Sequence, residues 1–348
     1  MSADQKSAVV SALNYISSLV NINFQLTEDL STADINFGTN DQGTTSGGYA
    51  TGANPAMGPV NLLLNNKTVV NSKPQPGDYG WQTIIHEIGH TLGLKHPGAY
   101  NAGGGVTPGP YLSATDDNQR NTVMSYKKPT DAISNWVSNG NGSYSNLGAN
   151  PRTFMPLDIL SLQFLYGKNQ TGTSLSDSSK SLTDFQTTQF TSSWLGMQTL
   201  SSTDQGLAID LSALSASNIV DMRPGAFSSI NIKDSSYNAG IGGSKMPQTF
   251  FNLNNVGLAY DSSISSLIGG ASTDVVYVSN NDVEIDGRDG LDKVYLYGSA
   301  SDWTQSSSAD QTIYTNGQIN AKIKNVESIS YYAKESNPFV HTRVDVSA

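Results

Sequence analysis

The sequence predicts an α+β amino-terminal domain followed by an all-β domain. Three observations predict it. Helical apolar spacing opens the chain, and a second helical stretch carries a histidine-rich motif at residues 86–96. Short segments with period-two alternation fall between and after these helices. Leu267, Val276, Ile285 and Val294 then step by nine residues, the signature of stacked turns.

Val9, Leu13, Ile16 and Val20 recur at helical spacing, so residues 4–20 read as an amphipathic helix. Ile22, Phe24 and Leu26 alternate as a half-buried strand, and Ile35 and Phe37 as a second. Residues 38–48 form a Gly- and Thr-rich loop. Residues 47–51 read as a strand and 60–64 as a more apolar one. Asp78 is placed to cap the motif helix. Residues 168–182 are polar and weakly patterned, which sets the domains at 1–167 and 168–348. Beyond that boundary, segments 207–211 and 229–232 alternate and suggest β structure.

Residues 86–96 fit H-E-x-x-H-x-x-G-x-x-H at every fixed position, and three of the four histidines of the chain lie there. Residues four apart share a helix face, so His86 and His90 can hold one cation. Glu87 sits beside them, turned from the ligand pair, as suits a general base acting on metal-bound water. Gly93 can adopt a left-handed conformation and end the helix, which brings His96 back to the metal. Three imidazoles with one open position is a catalytic zinc pattern. Copper and nickel also bind three imidazoles, so the metal type stays inferred. Residues 121–126 follow with Met124 and Tyr126. Met124 would put a soft side chain beneath the ligands, and Tyr126 could reach the metal or donate to an oxyanion.

His86 to His96, then Pro97, Tyr100, Met124, Ser125 and Tyr126, resemble the serralysin-type metzincins. These are secreted bacterial zinc endopeptidases with a carboxy-terminal calcium-binding β-roll. Residues 158–167 are similar to the helix that closes their catalytic domain. The resemblance covers residues 1–167, and 255–298 more loosely. It implies a metzincin zinc-protease domain, a twisted mixed sheet with an active-site helix, and then an all-β domain with a β-roll or parallel β-helix segment. It implies zinc on His86, His90 and His96, Glu87 as base, Met124 as the turn methionine, and Tyr126 as switchable ligand and oxyanion stabiliser. It further implies protein or peptide substrates, laid against an edge strand near residues 49–52, a proteinaceous inhibitor and a monomer. Trp136 and its neighbours are expected to wall a substrate pocket or to form a plain surface loop.

Two nonapeptide-like turns, 269–276 and 287–294, fall within degenerate repeats at 267–298. Asp274, Asp289 and Asp292 could supply oxygens to Ca²⁺, or the turns could stack without metal. The net charge of −10 excludes nucleic acid as a partner. No apolar run approaches the ~20 residues of a membrane helix. The absence of cysteine fits an extracellular bacterial protein. No signal peptide or pro-segment is visible, and residues 343–348 are too weak to read as an export signal. The leading expectation is a zinc metalloendopeptidase. The alternatives are a non-catalytic surface or binding protein on the same scaffold, and hydrolysis of a non-protein amide.

Overall fold

The structure is a computed structural model that describes residues 1–44, 46–51, 58–102, 104–129, 134–138, 144–148, 150–169, 187–191, 196–202, 206–232, 252–317 and 319–332. The chain divides into two compact units, one of residues 1–186 with 196–199, the other of 187–195 with 200–348.

The first unit is α+β. Helix α1 (Ala3–Leu19) opens it, started by Ser2, whose hydroxyl accepts from the Gln5 N–H while Gln5 reaches back to the Ser2 N–H. Its Val9, Leu13 and Ile16 face the core, as the spacing predicts. Strands β1 (Ile35–Asn40), β2 (Gly48–Ala50) and β3 (Val60–Asn65) form a mixed sheet in the order β1-β3-β2. β3 runs parallel to β1 and antiparallel to β2. This leaves β2 at an edge. Helix α2 (Tyr79–Thr91) packs on β2 and β3 with Trp81, Ile84, Ile85 and Ile88 buried. Strands β4 (Ser134–Ser138) and β5 (Tyr144–Gly148) pair as a hairpin, and helix α3 (Pro156–Tyr166) closes the unit. The Trp136 side chain, Gly52, most of the 168–182 boundary and residues 343–348 lie outside the described residues.

One expected strand is absent. Ile22, Phe24 and Leu26 lie in irregular backbone, and Leu26 is 68% exposed. Period-two alternation makes a strand only where another strand offers a ladder. Here the Asn21 N–H donates to the Gly167 carbonyl instead.

The second unit is all β. Its strands are β6 (Gln189–Thr191), β7 (Gln198–Leu200, which begins in the first unit), β8 (Leu207–Ala213), β9 (Asn218–Asp221), β10 (Phe227–Ser228) and β11 (Val256–Leu258). There follow β12 (Ile264–Ile268), β13 (Asp274–Tyr277), β14 (Val283–Asp286) and β15 (Lys293–Tyr297). Last come β16 (Thr304–Ser308), β17 (Gln311–Asn316), β18 (Ile319–Lys324) and β19 (Ser328–Tyr332). From β12 to β15 successive strands alternate between two sheets. β8, β12, β14 and β18 are parallel neighbours in one, and β9, β13, β15 and β19 in the other. Leu267 therefore sits opposite Ile285 and Val276 opposite Val294, and all four are buried. A nine-residue step moves the chain from one sheet to the other, and two steps return it. Ser229 to Ile232, expected as strand, contributes only a bridge at Ser229. The Asn255 side chain replaces a ladder partner, accepting from the Ile230 N–H and donating to its carbonyl.

Because Ile285 is fixed between strands on both sides, Ile285→Ala should cost about 2–5 kcal/mol of stability. Urea unfolding followed by near-ultraviolet circular dichroism measures it.

Candidate metal centre and active site

Helix α2 starts at Asp78, whose carboxylate accepts from the Trp81 N–H at 2.6 Å. It ends after Thr91, with Gly93 at φ +92°. The Gly93 N–H donates to the His90 carbonyl and the Leu94 N–H to that of Gly89, which closes the helix with two nested bonds. A side chain at Gly93 would be strained. The turn predicted from sequence is thus present, and it swings His96 back over the helix.

The three histidines converge. His86 Nε2 lies 3.2 Å from His96 Nε2, and His90 Nε2 lies 3.1 Å from the same atom. Each Nδ1 faces a backbone carbonyl: His86 that of Val123 at 2.8 Å, His90 that of Leu94 at 2.9 Å, His96 that of Tyr100 at 3.1 Å. A carbonyl can only accept, so each Nδ1 carries the proton and each Nε2 presents a lone pair. The short Nε2 separations are therefore not hydrogen bonds. They are three acceptors aimed at one point, an arrangement that a cation satisfies. Ligands about 2.0–2.1 Å from a tetrahedral zinc stand roughly 3.3 Å apart, close to what is seen. Among the described residues, this is the group of three or more His, Asp or Glu whose donor atoms meet at a metal-sized spacing.

Burial keeps these rings neutral. Desolvation, joined by the neighbouring His90, pushes His86 down to about 3 and His96 down to about 4, and desolvation lowers His90 as well. Glu87 is pushed the other way, up to about 7, because its carboxylate is buried; the Ala50 N–H donates to it and opposes the shift. The charge of a bound cation would act in the same sense as Ala50.

Glu87 and His86 open onto a cavity of about 510 Å³, lined also by Gly48 of β2, Gln82 and Thr83 of α2, Gln119 and Tyr126. The Thr51 N–H bonds inward to the Asn61 carbonyl and the Asn65 N–H to that of Gly47. Antiparallel alternation thus turns the backbone of Gly48 and Ala50 to the free edge. β2 borders the cavity at Gly48, just before the edge predicted near residues 49–52, of which Gly52 lies outside the described residues; the Ala50 link to Glu87 is a contact that no sequence signal announces.

Met124 is buried beneath the helix, with its sulfur 2.7 Å from where a Cβ on Gly89 would stand. Gly89, one of the variable positions of the motif, is thus required for close approach. The Tyr126 ring centroid lies 4.5 Å from that of His96 and 5.8 Å from that of His86. Tyr126 is half-exposed, bonds to the backbone of Ala102, and has its pKa raised by desolvation.

Two carboxylates that sequence reasoning missed hold this arrangement. Asp158 of α3 is buried and accepts from the Thr122 hydroxyl, the Val123 N–H and the Met155 N–H at 2.6, 2.7 and 2.9 Å. It fixes the segment whose Val123 carbonyl orients His86. Burial pushes its carboxyl up to about 6, against those donors. Asp117 accepts from Tyr100 and Ser125 and pairs with Lys127, joining the loop after His96 to the exit of the methionine turn. An acidic residue in the first turn of a helix is a readable signal for Asp158, but its distant partners are not.

The three acidic residues proposed for calcium lie elsewhere and do not meet in a comparable cluster. Asp274 spends its two oxygens on the Asn218 amide and the Gly270 N–H. Asp292 accepts from the Asp274 N–H, and its Oδ2 is buried without a partner. Asp289 is exposed.

The metallo-peptidase family M12 profile Reprolysin_5 matches residues 2–137. Serralysin of Photorhabdus laumondii is 32% identical over 284 residues, 78% of this chain and 52% of the relative. Serralysin of Proteus mirabilis is 33% identical over 218 residues, 61% of this chain and 38% of the relative. Metalloprotease AprA of Pseudomonas entomophila is 42% identical over 111 residues, 31% of this chain and 21% of the relative. The chain spans about half the length, or less, of these relatives.

Asp158→Ala should lower zinc affinity about 10–100-fold by freeing the carbonyl that orients His86. Competition with a chromophoric chelator reads the change, with Asp158→Asn affected less. Zinc at about 1,000 times its dissociation constant should stabilise the first unit by about 4 kcal/mol, lost on chelation. Calorimetric unfolding with and without chelator checks this.

Proposed function

We infer that this chain, a serralysin-like metzincin, is a zinc endopeptidase. One observation carries the reading: three imidazole lone pairs converge beside a buried carboxylate at the floor of an open cavity. His86, His90 and His96 would hold the zinc, which when bound supplies Lewis-acid activation of a water and of the scissile carbonyl. Glu87 takes the proton of the attacking water and returns it to the leaving amine as the C–N bond breaks. Burial raises its carboxyl while bound zinc would lower it, and the carboxylate is the form that accepts the proton. The Gly48 N–H and the Ala50 carbonyl on the outward edge of β2 receive the peptide as an added strand, while the Ala50 N–H stays with Glu87 and the Gly48 carbonyl with Ser46. Tyr126 would donate its hydroxyl to the developing oxyanion, a role supported by its ring contacts with His86 and His96.

The same reading sets residues 1–167 as the catalytic domain and treats the alternating parallel strands of the second unit as a β-roll. It places the protein outside the cell, acting as a monomer on protein or peptide substrates and open to a proteinaceous inhibitor. Activity found only in the cell fraction of a producing culture would reject that location. Calcium needs six to eight oxygens. Of the two buried turn carboxylates, Asp292 is the one that keeps an oxygen for it.

Glu87→Ala should keep fold and zinc but lose about 10²–10⁴-fold in turnover of casein. A zymogram with and without chelator, beside metal analysis, tests the reading. A folded, zinc-loaded chain without chelator-sensitive cleavage would favour the binding-protein alternative. Calcium should raise the unfolding midpoint of the second unit, and Asp292→Asn should remove that rise. A midpoint indifferent to calcium sinks the calcium assignment.

A further inference from the structure

A second cavity, of about 660 Å³, shares no described lining residue with the one at Glu87. Its long wall is α3. Ile159 and Leu162 turn one side of that helix into the core, yet Leu157, Leu160, Phe164 and Leu165 line the cavity on another. The helix is therefore apolar on two faces, where a surface helix ordinarily has one apolar stripe to bury. The second face is open to solvent: Leu160 is 40% exposed, Leu165 51% and Phe164 88%. Leu112, also exposed, and the buried Met124 belong to the same lining.

Lining groups able to carry charge are few. Asp158 is buried with three donors already on it, and the Tyr111 hydroxyl donates to the Thr107 carbonyl. Lys95 is the exception. It is exposed, and its ammonium donates to the Pro108 and Pro110 carbonyls and lies 5.8 Å from the centre of the Tyr111 ring. Pro110 and Tyr111 both line the cavity, which puts the ammonium at its rim. Two carbonyls take two of its three N–H donors and leave one. Among the described residues no carboxylate pairs with Lys95. The groove thus offers an apolar wall and one uncompensated positive charge. From Leu157 to Leu165 the helix advances about 12 Å. An alkyl chain with a single anionic head matches both features. An anionic membrane surface does not, because the chain carries a net charge of −10 and one basic residue lines the groove. A second copy docked about a twofold axis here would bring its own Lys95 and no accessible carboxylate.

We propose that this groove binds a single-chain fatty carboxylate, with the alkyl chain along α3 and the carboxylate on the free N–H of Lys95. The ligand enters directly from solvent, because Leu160, Phe164, Leu165 and Lys95 are all exposed. Binding is independent of the endopeptidase reading, since neither Glu87 nor any of the three histidines lines the groove.

Titration calorimetry of the full chain with octanoate, decanoate and dodecanoate, each below its micellar concentration, tests this. One site per chain should saturate, and binding should tighten about fourfold for each added CH2. Dodecyltrimethylammonium should bind about tenfold more weakly than dodecanoate. Lys95→Met should erase that preference for the anion. Phe164→Ser should weaken dodecanoate about tenfold; the ring is 88% exposed, so its loss leaves the core intact. If Lys95→Met does not fold, the preference of the unsubstituted chain for carboxylate over ammonium decides. No saturable binding, equal affinity for the two head groups, or a dodecanoate affinity untouched by Phe164→Ser overturns the proposal. So does a dimer in sedimentation that Phe164→Ser dissociates, which would make a second copy the occupant. Binding confined to phosphatidylcholine vesicles overturns it as well.

Discussion

The first unit depends on one constraint: three imidazoles must each give their Nδ1 proton to a backbone carbonyl. Only then do three Nε2 lone pairs face each other across about 3 Å, an arrangement repulsive without a cation and favourable with one. The three carbonyls belong to different places. Leu94 lies in the turn that ends α2, Tyr100 in the loop beyond His96, and Val123 in the methionine turn. Each must hold its position for the centre to exist. The surrounding hydrogen bonds make sense in that light, because they fix carbonyls rather than histidines.

Asp158 and Asp117 are the clearest cases. Asp158 binds both sides of the Val123 segment and ties it to the start of α3. Asp117 ties Tyr100 to Ser125, so the loop that presents His96 and the turn that supports it move together. Met124 fills the space between, and Gly89 leaves room for it. The result is hydrogen-bonded below the centre and open above it, where Gly48 of β2, Gln82, Glu87 and Gln119 line the cavity.

The second unit has a different logic. Its regularity is translational, and its hydrophobic positions repeat because each turn buries the same site against its neighbours. That periodicity survives the loss of turn glycines. Arg288 stands at φ +66°, a left-handed backbone position where glycine would be unstrained. The stack holds because Leu267, Val276, Ile285 and Val294 still meet inside it.

What could be read from the chain follows from range. The metal motif, the left-handed Gly93, the Asp78 cap and the nine-residue step were legible because each is set by residues within one or two turns of each other. Met124 and Tyr126 were read from their position after the histidine motif, and family likeness added their fuller roles. The strand at Ile22 to Leu26 was misread because alternation states a preference, while a ladder needs a partner that sequence does not supply. The segment from Ser229 to Ile232 was misread because a side-chain amide took the partner's place. By itself, then, the sequence determined which atoms could bind a cation and where the hydrophobic stack repeats. Only the tertiary structure decided which carbonyl sets the His86 tautomer, that Ala50 bonds to Glu87, and that Gln82 and Gln119 share a wall. Those pairings join residues tens of positions apart, and only packing brings them within a hydrogen bond of each other or onto one surface.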